Sequence, residues 1–214
     1  LEAAYPGRID LGIGRAPGTD PLTRYILRGG SEASAEDAVA RFPEYVDDVQ
    51  MLMDPSGVEM QVGSRRQPLR ATPRAVSTPQ IWLLGASDYS AKLAAARGLP
   101  YVFAHHFAGQ GTAEALELYR STYVASEAHP EPRTFLTVNA AVAGTREEAQ
   151  RLALGQAQMM LALRSGAPLH PQPLVEEAEA QRVPEQDKLV EAMMRRWVVD
   201  EPVAARARIV ALAT

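Results

Sequence analysis

The chain has 214 residues, 46% of them hydrophobic and 22% charged, a globular composition long enough to bury one sizeable core. Its 26 acidic and 22 basic residues give a formal net charge of -4 and are scattered, so no basic stripe offers a track for nucleic acid. The lack of cysteine excludes disulfides, thiolate metal sites and a cysteine nucleophile, and fits a cytoplasmic protein. There is no apolar run long enough to span a membrane and no basic start followed by an apolar leader, so no membrane insertion is expected.

The chain opens on Leu1 rather than Met, and residues 1–5 read like the last turn of a helix arriving from upstream. Tyr5-Pro6-Gly7 is a turn signal, and residues 8–14 alternate like a buried strand whose glycines allow close backbone approach. Residues 15–21 form a loop. After the Gly29-Gly30-Ser31 break, residues 35–53 place Ala38, Phe42, Tyr45, Val46, Val49 and Leu52 at helical spacing, with Pro43 positioned to kink or divide the helix. Residues 54–78, rich in Pro, Gly, Arg and Ser, read as a loop excursion with a short strand-like piece at 58–62.

The next unit is the clearest. Residues 80–84 read as a strand, Gly85-Ala86 as a tight turn, residues 87–97 as an alanine-rich helix stopped by Gly98, and residues 100–104 as another strand. Strand, helix and strand in that order form a crossover unit, which demands parallel strands and a right-handed connection. Beyond it the chain predicts a helix at 112–123, a strand at 133–142 and a long helix at 146–164. A loop excursion at 165–184, a polar helical stretch through 185–196 and an amphipathic helix at 202–213 follow. That last helix runs into Thr214 without a capping glycine, so the chain is expected to be trimmed at both ends. Residues 1–214 read as one α/β domain, and the alternation favours either a doubly wound sheet or a closed β/α barrel without separating them.

In both architectures ligands gather at the carboxyl ends of parallel strands, which selects Arg15, Ser87, His105 with His106, and residues 139–143. At Gly85-Ala86-Ser87, free N–H groups and the positive end of the helix dipole suit a phosphate. Capping of the helix by Ser87 or Asp88 is the alternative, and spacing alone favours it somewhat. Arg15 is placed to reach the same phosphate or to pair with Asp20. His105 and His106 would point in different directions if their strand continued. The four histidines form no metal-ligand pattern. No phosphate-loop lysine motif and no nucleophile elbow occurs, and Pro17 is out of place in a dinucleotide fingerprint.

Two blocks, Tyr5 through Gly18 (YPGRIDLGIGRAPG) and Ile81 through Ser90 (IWLLGASDYS) followed by Gly98-Leu99-Pro100, closely resemble the bacterial luciferase-like flavin monooxygenases in content, order and spacing. The resemblance runs on through residues 101–107, 116–123, 138–145 and 198–202. It implies a (β/α)8 TIM barrel binding reduced FMN, or in some branches the deazaflavin F420, at the carboxyl ends of the strands. Reduced FMN activates dioxygen to oxidise a small organic substrate, and a flavin reductase is a possible source of it. F420-dependent hydride transfer and a non-catalytic flavin-binding barrel are the alternatives.

Carried onto this chain, the resemblance implies that Arg15 and Ser87 hold the flavin phosphate. Gly85 and Ala86 form the turn, and the backbone N–H groups of Asp88, Tyr89 and Ser90 complete the cradle. His105 lines the pocket and is the candidate catalytic residue. Relatives carry three strands upstream of this region and one downstream, so an incomplete barrel is expected, lacking much of the interface through which the family usually dimerises. The substrate is set by variable loops and is not legible.

Overall fold

The computed structural model describes residues 1–16, 21–27, 37, 39–108 and 110–213. Two compact units result. The first is built on three parallel strands in the order β1, β4, β5: β1 is Asp10–Gly14, β4 is Gln80–Gly85 and β5 is Tyr101–Phe103. The register pairs Asp10 with Gln80 and Gly14 with Leu84, and then Leu83 with Tyr101. The predicted crossover is present, its helix α3 running from Asp88 to Ala96.

Along β4 burial alternates, with Ile81 and Leu83 almost completely covered and Gln80, Trp82 and Leu84 half-buried. Ala91, Ala94 and Ala95 of α3 are fully buried. Their small size brings the helix close to the sheet and to α5, Thr112–Ser121. Gly98 ends α3 with φ +57, and a Cβ there would lie 2.7 Å from the Val124 carbonyl oxygen, so only glycine fits. Tyr119 of α5 is fully buried, and its hydroxyl donates to the Leu99 carbonyl at 2.9 Å while accepting from Arg133 N at 3.1 Å. Burial pushes this phenol up to about 12.

Several expectations change. The strand over 8–14 forms, but it is not buried: Asp10, Gly12 and Gly14 are exposed and Leu11 and Ile13 only half-buried. Among the described residues β1 pairs only with β4, and its glycines have no side chains to cover. Of the helix expected over 35–53, residues 35, 36 and 38 lie outside the described residues; residues 39 and 40 are helical, Arg41 is a turn, and α2 starts afresh as Phe42–Met53 with Pro43 in its first turn, the division anticipated at the proline. The loop expected over 15–21 lies largely outside the described residues, but Pro21–Leu27 is a helix, α1. The excursion at 54–78 is an exposed antiparallel hairpin, β2 (Val58–Val62) against β3 (Arg65–Leu69), turning at Gly63 with φ +62.

The strand expected over 133–142 survives only at its ends. Thr134 makes an isolated parallel bridge to Tyr101 in the first unit, and Ala140–Val142 forms β6 in the second. The chain passes from one unit to the other after Phe135, so no single partner strand serves the whole run.

In the second unit β6 pairs in parallel with β7, Val198–Asp200. Helix α6, Arg146–Ser165, is capped by Thr145, whose Oγ1 accepts from Glu148 N at 3.1 Å, and ends at Gly166 with φ +70. Its buried face of Ala149, Ala153, Leu154, Ala157 and Met160 packs with Ala178, Val190, Met193, Trp197 and Val199. A short α4, His105–Ala108, belongs to the same unit. The region expected as a loop at 165–184 contains α7, Val175–Ala180, and the polar stretch after it forms α8, Asp187–Met194. The final helix, α9, is present as Pro202–Ala213, but it is not amphipathic in burial: Ala205 is covered while Val203, Ile209 and Val210 are exposed. No helix among the described residues is long and apolar enough to cross a membrane.

Candidate functional site

The parallel register decides which residues meet at the carboxyl ends of the strands. Because Gly14 pairs with Leu84, Arg15 and Gly85 are the next residues along two adjacent strands. Arg15 is half-buried, and its guanidinium carbon lies 4.1 Å from the centroid of the Tyr89 ring, within stacking range of an aromatic face. Tyr89 is the second residue of α3. A cation following β1 is therefore held over the first turn of the helix that follows β4. The possible Arg15 to Asp20 pairing lies outside the described residues.

The turn is shaped by close contacts. A Cβ built on Gly85 would lie 2.6 Å from Ser90 Cβ and closer still to its hydroxyl, so glycine is required there. The Gly85 carbonyl accepts from Ala104 N at 2.9 Å and from the Tyr101 hydroxyl at 3.4 Å. Buried Ser90 donates its hydroxyl to the Ser87 carbonyl at 2.9 Å. Ser90 therefore fixes the shape of the turn with its side chain, a role the sequence did not disclose.

Ser87 stands at the N-cap with extended backbone (φ -145, ψ 161), yet its side chain makes no capping hydrogen bond. Ala86, Ser87 and Asp88 are all exposed. The first N–H groups of a helix have no partner within the helix, so those of Asp88, Tyr89 and Ser90 have no acceptor inside α3, and the side-chain cap that would ordinarily serve them is missing. This weakens the capping alternative. Asp88 adds a carboxylate to the same first turn, where the helix dipole favours negative charge. Burial, and then the nearby Asp88 carboxylate, raise the Tyr101 phenol above its ordinary value.

The structure puts Arg15 and Gly85 through Ser90 in one compact unit and His105 in the other. The strand does not continue through the histidines: β5 ends at Phe103, and His105 and His106 start α4. His105 is half-buried, and burial followed by the neighbouring His106 charge lowers its pKa, favouring neutral imidazole. His106 Nδ1 lies 2.7 Å from the Thr137 hydroxyl, and Asn139 Nδ2 donates to the His106 carbonyl at 2.7 Å. No group of three or more metal-ligating side chains occurs among the described residues. Tyr89 was expected only for its backbone, and no sequence signal marks its ring as the seat of Arg15.

Parallel strands with helical crossovers, and a glycine turn with an arginine beside it at the strand ends, define an α/β protein whose polar groups gather where such folds place their ligand sites. The luciferase-like monooxygenase family model matches residues 1–212, and the chain belongs to that family. The Bacillus subtilis (strain 168) protein YvbT is 39% identical over 209 residues, 98% of this chain and 59% of the relative. The crystal structure of apo-MsnO8 superposes with a TM-score of 0.75 at 32% identity, covering 100% of this chain and 60% of that one. The oxygenating constituent of 3,6-diketocamphane monooxygenase from Pseudomonas putida, solved in complex with FMN, shares the fold at a TM-score of 0.54 and 18% identity, over 96% of this chain and 61% of that one. The chain thus spans about 60% of the length of these relatives, and the luciferase-like, TIM-barrel type of fold is supported.

Proposed function

We propose that the protein carrying this chain is a flavin-dependent monooxygenase that holds the phosphate of FMN at the turn between β4 and α3 and acts on a small organic substrate with dioxygen. The observation that carries the reading is the convergence of Arg15, the exposed hydroxyl of Ser87 and the first N–H groups of α3 on one strand-end mouth. Family membership supports a flavin or deazaflavin ligand there, and the FMN held by a structure that shares the fold favours FMN.

The residues present suit a phosphate. The Gly85 position keeps the turn tight, and Ser87 does not spend its hydroxyl on the helix. Arg15 offers charge-assisted hydrogen bonds to an anion while its guanidinium plane rests on Tyr89. Reduced flavin supplies the electrons with which dioxygen is activated. The task of these side chains is to anchor and orient the cofactor and to keep its charged end at the strand ends. His105, whose pKa burial lowers, is proposed as a pocket residue that accepts or donates a hydrogen bond. A separate reductase as the source of reduced flavin belongs to the same proposal.

Titration with FMN and with F420, in the protein and in its Arg15→Ala and Ser87→Ala variants, tests the reading. Tighter binding of FMN, weakened in both variants, supports it. Preference for F420 moves the assignment to hydride transfer without oxygen. Unchanged FMN affinity in both variants removes the phosphate assignment, and oxygen uptake with reduced FMN separates an enzyme from a non-catalytic flavin carrier.

A further inference from the structure

The second unit contains a half-open cavity of about 610 Å3 bounded by α6, α7, α8, β7 and α9, within the roughly 300–1,000 Å3 range of small-molecule sites. It shares no residue with the Gly85 to Ser90 turn. Leu154, Val190, Met194 and Val199 give it an apolar floor, and three of these four are buried in the core of the unit. Five arginines stand on its walls: Arg146, Arg151, Arg182, Arg195 and Arg208.

Three of the five are already engaged. Arg151 makes two hydrogen bonds to the Glu179 carboxylate, at 2.6 and 3.1 Å, and Arg182 makes two to Asp187, at 2.8 and 2.9 Å. Arg146 lies 3.8 Å from Asp200. Arg195 and Arg208 enter no ion pair among the described residues. Arg208 Nη2 donates to the Arg195 carbonyl, which ties α9 to the end of α8, where both residues line the cavity. Of the carboxylates on the walls, Glu179 and Asp187 are neutralised by their arginines. Glu147 sits in the first turn of α6, where the helix dipole offsets it, and Glu191 adds to the charge facing Arg182.

We propose that this cavity binds an organic monocarboxylate, its head on Arg195 and Arg208 and its aliphatic body on Leu154, Val190, Met194 and Val199. A guanidinium with donors to spare matches a carboxylate in geometry and charge. The four wall carboxylates disfavour a polyanion, and the apolar floor disfavours a small inorganic ion.

Calorimetric titration of the flavin-free protein with octanoate, octanamide and octylamine tests this and does not depend on the flavin assignment. Octanoate is expected to bind saturably at one site, with Arg195→Gln and Arg208→Gln each weakening it roughly tenfold, the loss of one charge-assisted hydrogen bond. Met194→Trp, which fills the floor, is expected to block it. Both arginines are exposed; Arg195 makes no side-chain hydrogen bond or ion pair among the described residues, so Arg195→Gln reports on binding without the α9 tie that Arg208→Gln also removes. No saturable octanoate binding, equal binding of octanamide or octylamine, or binding indifferent to all three variants overturns the proposal.

Discussion

The guanidinium of Arg15 rests on the ring of Tyr89, 4.1 Å from its centroid, so the residue that leaves β1 is pinned above the first turn of α3. Stacking of this kind contributes about 0.5–1 kcal/mol at an exposed site and confines a side chain that otherwise samples many rotamers. Tyr89→Leu is therefore expected to weaken FMN binding a few-fold through loss of Arg15 positioning, whereas Tyr89→Phe, which keeps the ring, leaves it nearly unchanged. Equilibrium FMN titration of the two variants separates an effect of the ring from an effect of the phenol.

Gly85→Ala tests the shape of the turn. The added methyl meets Ser90 at less than contact distance, and overpacking of this sort costs about 1–3 kcal/mol. Denaturant unfolding should show that loss in the single variant. Partial recovery is expected in Gly85→Ala with Ser90→Gly, because the obstructing side chain is gone; no recovery would mean that the backbone rather than Ser90 resists the change.

Asp88 places a negative charge at the same helix start as the proposed phosphate. Asp88→Asn removes it and should tighten FMN binding by about 0.3–1 kcal/mol, the usual size of a charge effect at a helix end. The gain should shrink as salt is raised. A weaker complex in the variant would mean that Asp88 contributes in some other way.

Stability should depend on pH through His129. Gln80 Oε1 accepts from Arg133 Nη1 at 3.0 Å, which turns Gln80 Nε2 toward His129 Nε2 at 2.9 Å. That nitrogen must then be an unprotonated acceptor. Burial first, and the Arg133 charge second, lower the His129 pKa below 6.5. The unfolded chain thus takes up this proton at higher pH than the folded one, so stability is complete above about 6.5 and falls as the pH drops from there toward the lower folded value. His105 is shifted in the same direction, by burial and by His106. Melting temperature against pH should decline over this window in the protein and decline less in His129→Gln.

Tyr119→Phe removes a buried hydroxyl that serves both the Leu99 carbonyl and Arg133 N. Leaving such groups unpaired costs about 1–3 kcal/mol, to be read from chemical unfolding. A change within error would mean that water replaces the hydroxyl.

Legibility in the sequence followed local signals. The unit from Gln80 to Phe103 could be read because Ile81 and Leu83 alternate with half-buried neighbours, Gly85 and Gly98 punctuate it and alanines fill its helix. The strand Arg65–Leu69 could not, since its exposed face shows no alternation and its pairing depends on a hairpin at Gly63. Residues 133–142 look β-rich throughout, but their two ends pair in different units, a division that no local pattern records. Within the candidate site the turn was visible and the Arg15–Tyr89 contact was not, because that contact follows from the register between β1 and β4, strands far apart in the chain.

Anchoring of a flavin by its phosphate at this turn is tested most directly by comparing FMN with riboflavin, because the two differ only in that group. The protein should bind FMN at least roughly tenfold more tightly than riboflavin, as expected for charge-assisted hydrogen bonds worth about 1.5–3 kcal/mol. Arg15→Ala should erase most of that preference while leaving riboflavin binding almost unchanged. Equal affinity for the two flavins, or a preference for FMN that survives both Arg15→Ala and Ser87→Ala, would contradict the account.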